Sequence, residues 1–385
     1  MGSDMTVKRY KVEPAGPDVG GDVLDFLKSA YAGRFNAADF EDGDEVTKRW
    51  RWFAAENPNA KDARTAWLCR DRRDGKIVGH LGIIPAALKC KDRCYPVVWG
   101  RDMIVLQTVR NMGIGTFMAR VLMRDIKENG AIFLAAGLNE SSYGLFRKMG
   151  FIDVGRIPLY ISVNRWEDIL RLKVRNRALA RFLAVFPPVI VRVLRAPSVI
   201  WRAVRGYRKD ITITGIDRFD ESFDRLWDEV SHGFPVIVKR DMANLNWRFV
   251  DQPYRRYGIF KAASADTGRT RGYIVLRDGE YRGLKVGVIS DLFAGASDPD
   301  TVMALLGFAI DHYRDRPDIG MIWCNMMHRN FEKALIRSGF IGVPSKPRLI
   351  VENAECGIDM DLAGRKENWF LTFADSDMDL SGASR

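Results

Sequence analysis

The alternation of apolar and polar residues along the chain predicts the same series of elements twice. In the first half, strands are predicted at 7–12, 65–70, 76–85, 96–106, 131–138 and 151–156, and helices at 23–32, 45–56, 115–129 and 141–149. In the second half, strands are predicted at 211–216, 258–263, 272–277, 284–293, 320–325 and from 340, and helices at 219–230, 241–249, 301–313 and 330–337. Strands and helices mixed in this way indicate an α/β fold.

Two short sequence echoes support an internal duplication. The segment Trp52-Phe-Ala-Ala-Glu-Asn-Pro58 parallels Trp247-Arg-Phe-Val-Asp-Gln-Pro253, and each half later has a helix that ends on Gly-Phe, at Gly150 and at Gly339. Because the markers are similarly spaced in both halves, we expect two similar units rather than one large sheet. The paired tryptophans and prolines are predicted to be structural.

Charge is concentrated in one segment of the chain. The 385 residues carry 60 Lys and Arg against 49 Asp and Glu, a net charge of +11, and the length favours two domains. Residues 165–209 hold 12 of the basic residues and 2 of the acidic ones, which leaves a net charge of only +1 for the rest. Basic and apolar residues there alternate at helical spacing, which predicts an amphipathic linker helix. The alternative is peripheral contact with an anionic membrane through Trp201 and Phe182, whereas nucleic acid is not favoured.

Composition also bounds the compartment. No apolar stretch reaches the roughly 18 residues that a membrane span needs, and no signal peptide is evident. The five cysteines are an odd number, which argues against a secreted disulfide framework. Cys90 and Cys94 have no second ligand pair nearby, so no metal site is predicted. We therefore expect a cytoplasmic protein, with peripheral attachment to the inner membrane as the alternative.

The stretch most informative about chemistry is Val105-Leu-Gln-Thr-Val-Arg-Asn-Met-Gly-Ile-Gly115, between a predicted strand and a predicted helix. Free amides at a helix N-terminus bind phosphate, and glycines let the backbone approach a ligand closely. Arg110 adds a cationic contact for a pyrophosphate. Taken alone, the same pattern also fits an ordinary strand–helix turn.

This stretch resembles the coenzyme A loop of the GNAT acyltransferase superfamily, and Asn139-Glu-Ser-Ser-Tyr-Gly-Leu-Phe-Arg-Lys-Met-Gly-Phe151 resembles the second signature of that family. The resemblance covers about residues 5–160 and implies two tandem GNAT-like domains, each a mixed, mostly antiparallel central sheet flanked by helices. The expected divisions are an N-terminal domain with the acyl-CoA site (5–164), a basic linker (165–209), a degenerate C-terminal domain (210–350) and an extension (351–385).

The resemblance also implies acetyl-CoA, or another acyl-CoA, as co-substrate and direct attack by an amine. The residues expected to contact the co-substrate are Val105, Gln107, Arg110, Asn111, Met112, Gly113, Ile114, Gly115, Asn139, Ser142 and Phe146.

The catalytic residues are less well indicated. The tyrosine that serves as general acid in the family aligns with Phe146, which has no ionisable group, so Tyr143, three residues earlier, is the candidate substitute. Asp102, on the strand before the loop, is a candidate base, although its neighbour Arg101 offers an ion pair instead. His80 is the second candidate because histidine titrates near neutral pH.

The second half has lost these features, so we expect a single acyl-CoA site. Its corresponding loop carries Asp298 and Asp300, which repel a pyrophosphate, and the positions of the second signature are held by His328 and Leu335.

The acceptor is poorly determined by the sequence. The segment from Asn246 to Tyr254 and the ending near Asn368 resemble uncharacterised bacterial polysaccharide-associated acyltransferases, which suggests an amine on a small molecule or a carbohydrate. Two other interpretations stay open: a Fem-type aminoacyltransferase that uses aminoacyl-tRNA, and a non-catalytic acetyl-CoA sensor. The oligomeric state, the acyl chain length and the choice between N- and O-acylation are left undetermined.

Overall fold

The computed structural model describes residues 9–16, 20–32, 42–60, 64–166, 210–253, 255–353 and 357–379. Its strands are β1 (Tyr10–Ala15), β2 (Ala66–Asp71), β3 (Ile77–Cys90), β4 (Arg93–Val105), β5 (Ile132–Ala136), β6 (Ile152–Arg156), β7 (Leu159–Val163), β8 (Ile211–Ile216), β9 (Val236–Val238), β10 (Gly258–Ser264), β11 (Thr270–Tyr281), β12 (Leu284–Ala294), β13 (Met321–Met327), β14 (Ile341–Val343), β15 (Arg348–Val351) and β16 (Trp369–Thr372). Its helices are α1 (Gly21–Tyr31), α2 (Gly43–Ala54), α3 (Ile114–Glu128), α4 (Glu140–Lys148), α5 (Ser222–Val230), α6 (Met242–Phe249), α7 (Pro299–Arg314), α8 (Arg329–Arg337) and α9 (Met360–Ala363).

Every predicted strand and helix has a counterpart within the described residues, with ends that shift by a few positions. Side-chain caps explain several helix starts: Asp42 accepts backbone N–H bonds at the start of α2, and Asp241 does so at α6. The pattern missed β7, β9, β15 and β16, because strands of three to five residues are too short to show a period.

The strands form one connected, mostly antiparallel sheet system with helices packed against it, so the predicted α/β class is confirmed, whereas the expected pair of separate sheets is joined into one. Its main path runs β6-β15-β5-β4-β3-β9-β16-β13-β12-β11-β10-β8, and the pairs β4–β5, β12–β13 and β9–β16 are parallel. We call residues 10–163 the N-terminal half and residues 211–379 the C-terminal half.

The two halves exchange strands. β7, from the N-terminal half, pairs with β13 and β14 of the C-terminal half. In return β15, from the C-terminal half, lies between β5 and β6 of the N-terminal half. The boundaries drawn at residues 164 and 350 treat each half as a continuous stretch, and these pairings cross both of them.

A reciprocal tryptophan pair joins the halves near the middle of the molecule. The rings of Trp52 and Trp247 stack with centroids 4.5 Å apart and planes 14° apart. Each indole Nε1 donates to the backbone carbonyl of the other residue, at 2.8 and 2.9 Å. Because each residue makes the same contact to the other, the pair has a local two-fold symmetry.

The C-terminal segment returns into the core of the C-terminal half. β16 pairs with β9 and β13, and the turns after it bury Asp375 and Asp379. We call residues 369–379 the tail segment. The sequence predicted only an extension at 351–385, because nothing in the local pattern indicates that its acidic residues are buried.

The predicted amphipathic helix at 165–209 lies outside the described residues beyond position 166. Within the described ranges, no helix is both long enough and apolar enough to cross a membrane.

Candidate functional site

Strand β4 separates from its parallel partner before it ends. The pairing with β5 runs from Val97–Ile132 to Trp99–Leu134, whereas β4 itself continues to Val105. Gly100 lies at the divergence, where a Cβ atom would meet the Phe133 ring at 2.3 Å. The backbone edge of β4 beyond Trp99 thus lacks pairing with β5, which leaves peptide groups available for an extended ligand.

A β-bulge marks the same stretch. His80 pairs with Ile104 and Gly82 pairs with Arg101, so two residues of β4 oppose one residue of β3. The bulge places Asp102 at φ +49°, in the left-handed region. Bulges re-aim backbone and side chains beside active sites, and this one turns β4 toward the gap.

The loop after β4 ends in a helix start without a side-chain cap. Asn111 and Gly113 have φ of +66° and +78°, and α3 begins at Ile114. Gly113 is the N-cap residue and offers no side-chain acceptor; the first donor to the helix is Phe117, whose N–H bonds the Gly113 carbonyl. The amides of the first helical residues therefore have no intrahelical acceptor, and the helix dipole favours an anion there.

The other predicted loop residues fall into two groups. Gln107, Arg110 and Met112 are exposed, and Arg110 Nε donates to the Val105 carbonyl at 3.4 Å. Ile114 is 1% exposed, so its side chain anchors α3 in the core and only its backbone faces the loop. The exposed cation and the uncapped amides suit the pyrophosphate of a coenzyme A molecule.

In the second signature, Asn139 caps α4, because its Oδ1 accepts the Ser142 N–H at 2.9 Å. Tyr143 donates its hydroxyl to Asp153 at 2.7 Å, and this hydrogen bond raises the pKa of Tyr143. Arg348, from β15, also binds Asp153 and lies over the Tyr143 ring. The exchanged strand thus fixes Tyr143 against the sheet.

The position of Phe146 differs from the one that we expected. We expected it to contact the co-substrate, but it is 1% exposed and stacks between Phe133, at 5.2 Å, and Phe151, at 5.0 Å. An aromatic ring at this position fills the core beneath the sheet, so its role is packing.

The two candidate bases lie in one buried cluster beside the bulge. Asp102 accepts a hydrogen bond from the Tyr31 hydroxyl at 2.8 Å and from Arg101 Nη1 at 2.7 Å. Burial alone would raise the pKa of Asp102, but the positive charges of Arg101 and Arg49 outweigh it and hold that pKa well below its usual range. Because Tyr31 and Arg101 both donate to this carboxylate, we assign it no proton transfer.

His80 is uncharged, in contrast to the ionised carboxylate of Asp102. It is fully buried, and its Nδ1 lies 2.8 Å from the Asp102 carbonyl oxygen. Because a carbonyl only accepts, Nδ1 carries the proton, and Nε2 holds a lone pair that has no hydrogen-bond partner among the described residues. Burial, followed by the charge of Arg101, lowers the pKa of His80 to about 4, so the ring is neutral near pH 7.

Sequence reasoning treated Arg101 only as an ion-pair neighbour and did not identify Tyr31 or Trp50 as members of this cluster. Arg101 is 5% exposed, and its Cζ lies 4.0 Å from the Phe53 ring centroid and 5.8 Å from that of Trp50. These residues come from α1 and α2, far from β4 in the chain, so no local signal linked them.

The corresponding positions of the C-terminal half are occupied by other contacts. Asp298 caps α7 through the Thr301 N–H and pairs with Arg271, so that helix start already holds a carboxylate. Leu335, at the tyrosine position of the second signature, is fully buried.

Comparisons with known proteins agree with this geometry. The sequence model of the acetyltransferase (GNAT) family matches residues 24–151. No curated protein matches the chain significantly.

Solved structures with similar folds include N-acyltransferases of low sequence identity. A probable N-acyltransferase of Enterococcus faecalis V583 shares 13% identity at a TM-score of 0.56, over 89% of this chain and 71% of that one. N-myristoyltransferase of Saccharomyces cerevisiae, solved with bound myristoyl-CoA, shares 12% identity at a TM-score of 0.54, over 90% of this chain and 83% of that one. A GCN5-related N-acetyltransferase of Anabaena variabilis shares 13% identity at a TM-score of 0.57, over 93% of this chain and 75% of that one.

The family match covers the bulged strand, the glycine loop and α3, and the fold of the whole chain is that of these N-acyltransferases. Residues 24–151 therefore form a domain that matches the acetyltransferase (GNAT) family of acyl-CoA-dependent acyltransferases.

Proposed function

We propose that the protein transfers an acetyl group from acetyl-CoA to an amine of a small-molecule or carbohydrate acceptor, at one site in the N-terminal half. The observation that carries this proposal is the bulged end of β4, which separates from β5 and leads directly to the uncapped start of α3. Acetyl rather than a longer acyl group is supported by the acetyltransferase description of the matching family.

The loop residues supply the co-substrate site. The amides of Ile114 and Gly115 and the exposed guanidinium of Arg110 would hold the pyrophosphate. The unpaired edge of β4 near Val105 offers backbone groups to the pantetheine arm. Bound there, the thioester would come beside the bulge and the His80 cluster. In the C-terminal half, Asp298 caps the corresponding helix where the N-terminal half has the glycine loop, which supports a single acyl-CoA site.

The acceptor side is served by His80. A neutral amine attacks the thioester carbon, its C–N bond forms as the C–S bond breaks, and the sulfur leaves as thiolate. The amine must lose a proton in this step, and we assign His80 Nε2, whose lone pair has no hydrogen-bond partner among the described residues, as the acceptor of that proton. Asp102 acts as a positioning residue, since its carbonyl fixes which ring nitrogen of His80 is protonated.

No acid is required for the leaving group. A thiol has a pKa near ~8.5, so the thiolate is an adequate leaving group close to neutral pH. Tyr143, engaged with Asp153, is assigned no proton transfer in this proposal.

The co-substrate site is tested by comparing two left-handed glycines. In Gly113→Trp the indole and the lost φ freedom should abolish acetyl-CoA binding measured by titration calorimetry. Gly75→Trp is the matched control, because Gly75 also has a positive φ, +71°, but lies in the β2–β3 turn with open space around it. Acetyl-CoA binding retained by Gly113→Trp contradicts the proposed site.

The chemistry is tested by thiol release from acetyl-CoA across a panel of amines. His80→Gln should lower kcat by about a hundredfold or more while acetyl-CoA binding persists, since general-base catalysis contributes about 10²–10⁴-fold. Binding without amine-dependent thiol release, in the wild-type protein, contradicts the proposed reaction and favours the acetyl-CoA sensor.

We further propose a cytoplasmic location with peripheral membrane contact through residues 165–209, and a role in polysaccharide synthesis. The support for contact is the charge: ten of the eleven net positive charges fall in that segment. The role in polysaccharide synthesis rests on sequence resemblance alone.

A further inference from the structure

The C-terminal half shows what fills the acceptor position there. Asp291 lies three residues before the end of β12, at a register shift, as Asp102 lies three residues before the end of β4 at its bulge. Tyr273 opposes Phe293 as His80 opposes Ile104, one residue before each strand ends. The space beside Asp291 is therefore the counterpart of the space beside Asp102.

The tail segment occupies that space with two carboxylates. Arg240 binds Asp291 through Nε and Nη2, at 3.2 and 3.3 Å, and Asp375 through Nη2 at 2.7 Å. Arg277 binds Asp379 through Nε at 2.6 Å and its carbonyl through Nη2 at 3.2 Å. Both arginines are buried, and each has its Nε–Nη2 edge fully bonded.

Arg101 differs in one respect. It is equally buried and binds Asp102 through Nη1, but its Nε and Nη2 atoms have no hydrogen-bond partner in the part of the chain that the structure describes. That edge of a guanidinium matches the two oxygens of one carboxylate. A buried cation with an open edge is costly, so natural proteins rarely keep one without a ligand for it.

We propose that the acyl acceptor is an amine that also carries a carboxylate, and that this carboxylate docks on the Nε–Nη2 edge of Arg101. The inference rests on the proposed function, because it names the substrate class of the same site.

The same cluster limits the length of the acceptor. Arg101 bonds the Asp102 side chain and His80 bonds the Asp102 carbonyl, so the carboxylate site and the base are joined through one residue. Amine and carboxylate must therefore be a few bonds apart, as in an amino acid or a short amino sugar acid. The Asp102 side chain is 13% exposed, whereas the Nε and Nη2 atoms of Arg101 are buried, so a carboxylate reaches that edge beside Asp102 only when the surrounding side chains move.

Docking would also tune the base. The positive charge of Arg101 is one cause of the low pKa of His80, so a carboxylate bound to Arg101 makes His80 Nε2 more basic.

The test compares acceptors in matched pairs, each a primary amine with a free carboxylate and its carboxamide, by thiol release from acetyl-CoA. Wild-type protein should have a kcat/KM about tenfold or more higher for the carboxylate member of each pair, because its KM is lower. Arg101→Met should remove this preference. Arg101→Lys, which keeps the charge but not the fork, should restore only part of it. The exposed Arg124→Met serves as control.

A second readout does not depend on turnover. Millimolar amino acids without acetyl-CoA should raise the melting temperature of the wild-type protein and not that of Arg101→Met, whereas their carboxamides should have no effect. Equal rates for both members of each pair, or a preference unchanged in a folded Arg101→Met, overturn the inference while the proposed function stands. Stabilisation by carboxylates without thiol release overturns the proposed reaction and supports the carboxylate site. If Arg101→Met does not fold, the wild-type pairs and Arg101→Lys decide alone.

Discussion

Acidification from pH 7 to pH 5 should destabilise this protein through His80. The side chain is fully buried, and burial together with the charge of Arg101 lowers the pKa of His80 from 6.5 to about 4. Between these two values the unfolded chain binds a proton at this site and the folded chain does not. Stability therefore falls as the pH drops through this window.

The size of the effect follows from the two pKa values. At pH 7 both states are nearly deprotonated, so the contribution is close to zero. At pH 5 the proton taken up by the unfolded chain costs about 2 kcal/mol of folding free energy, and well below pH 4 the loss approaches about 3 kcal/mol. Domains are commonly stable by only about 5–15 kcal/mol, so the change is easily measured.

The assay is denaturant unfolding at pH 7 and at pH 5 of wild-type protein and of His80→Gln, which cannot take up the proton. The variant should lose about 2 kcal/mol less than wild type over this interval. Half-buried His328, whose pKa burial also lowers to about 4, adds a similar loss to both proteins, so the comparison uses the difference between their losses of unfolding free energy. The exposed His232→Gln is the control.

An identical pH dependence in wild type and His80→Gln would refute the reasoning. It would mean that His80 is protonated as readily in the folded chain as in the unfolded one. The neutral ring with a free Nε2 lone pair, on which its role as base depends, would then be lost as well.

Two further predictions concern the tryptophan pair and the basic segment. Trp52→Phe should lower the free energy of unfolding by about 1–3 kcal/mol, because it removes a buried hydrogen bond to Trp247. Trp99→Phe is the control and should cost less, because the buried Nε1 of Trp99 has no partner among the described residues. Equal losses of unfolding free energy in the two variants, measured by denaturant unfolding, would refute the reciprocal bond. The full chain should sediment with phosphatidylserine vesicles but not with phosphatidylcholine vesicles. Replacing Arg192, Arg195, Arg202 and Arg205 by Gln should weaken that binding, and sedimentation unaffected by lipid charge or by the replacement argues against membrane contact through 165–209.

Local patterns in the sequence predicted most of the elements and the loop that we propose as the co-substrate site. Apolar periodicity is a property of neighbouring residues, and the loop before α3 can be recognised because two glycines and an arginine stand at close spacing. The sequence also predicts a duplication, since Trp52 and Trp247 lie in matching contexts.

Other features depend on residues that are far apart in the chain. Nothing near β7 or β15 indicates that each completes the sheet of the opposite half, because a strand of four or five residues pairs with whichever edge the fold presents. The direct stacking of Trp52 on Trp247 likewise required both halves to be in place.

The sequence by itself determined that this protein has an α/β fold with repeated elements and a glycine loop suited to acyl-CoA. Only the tertiary structure decided what the nearby side chains can do. Phe146 lies in the core, Asp102 is ion-paired with Arg101, and His80 is a buried neutral ring whose Nε2 has no partner among the described residues. The reason is physical: spacing along the chain selects residue types, but burial and neighbouring charge, which set protonation and bonding, come from residues that folding brings together.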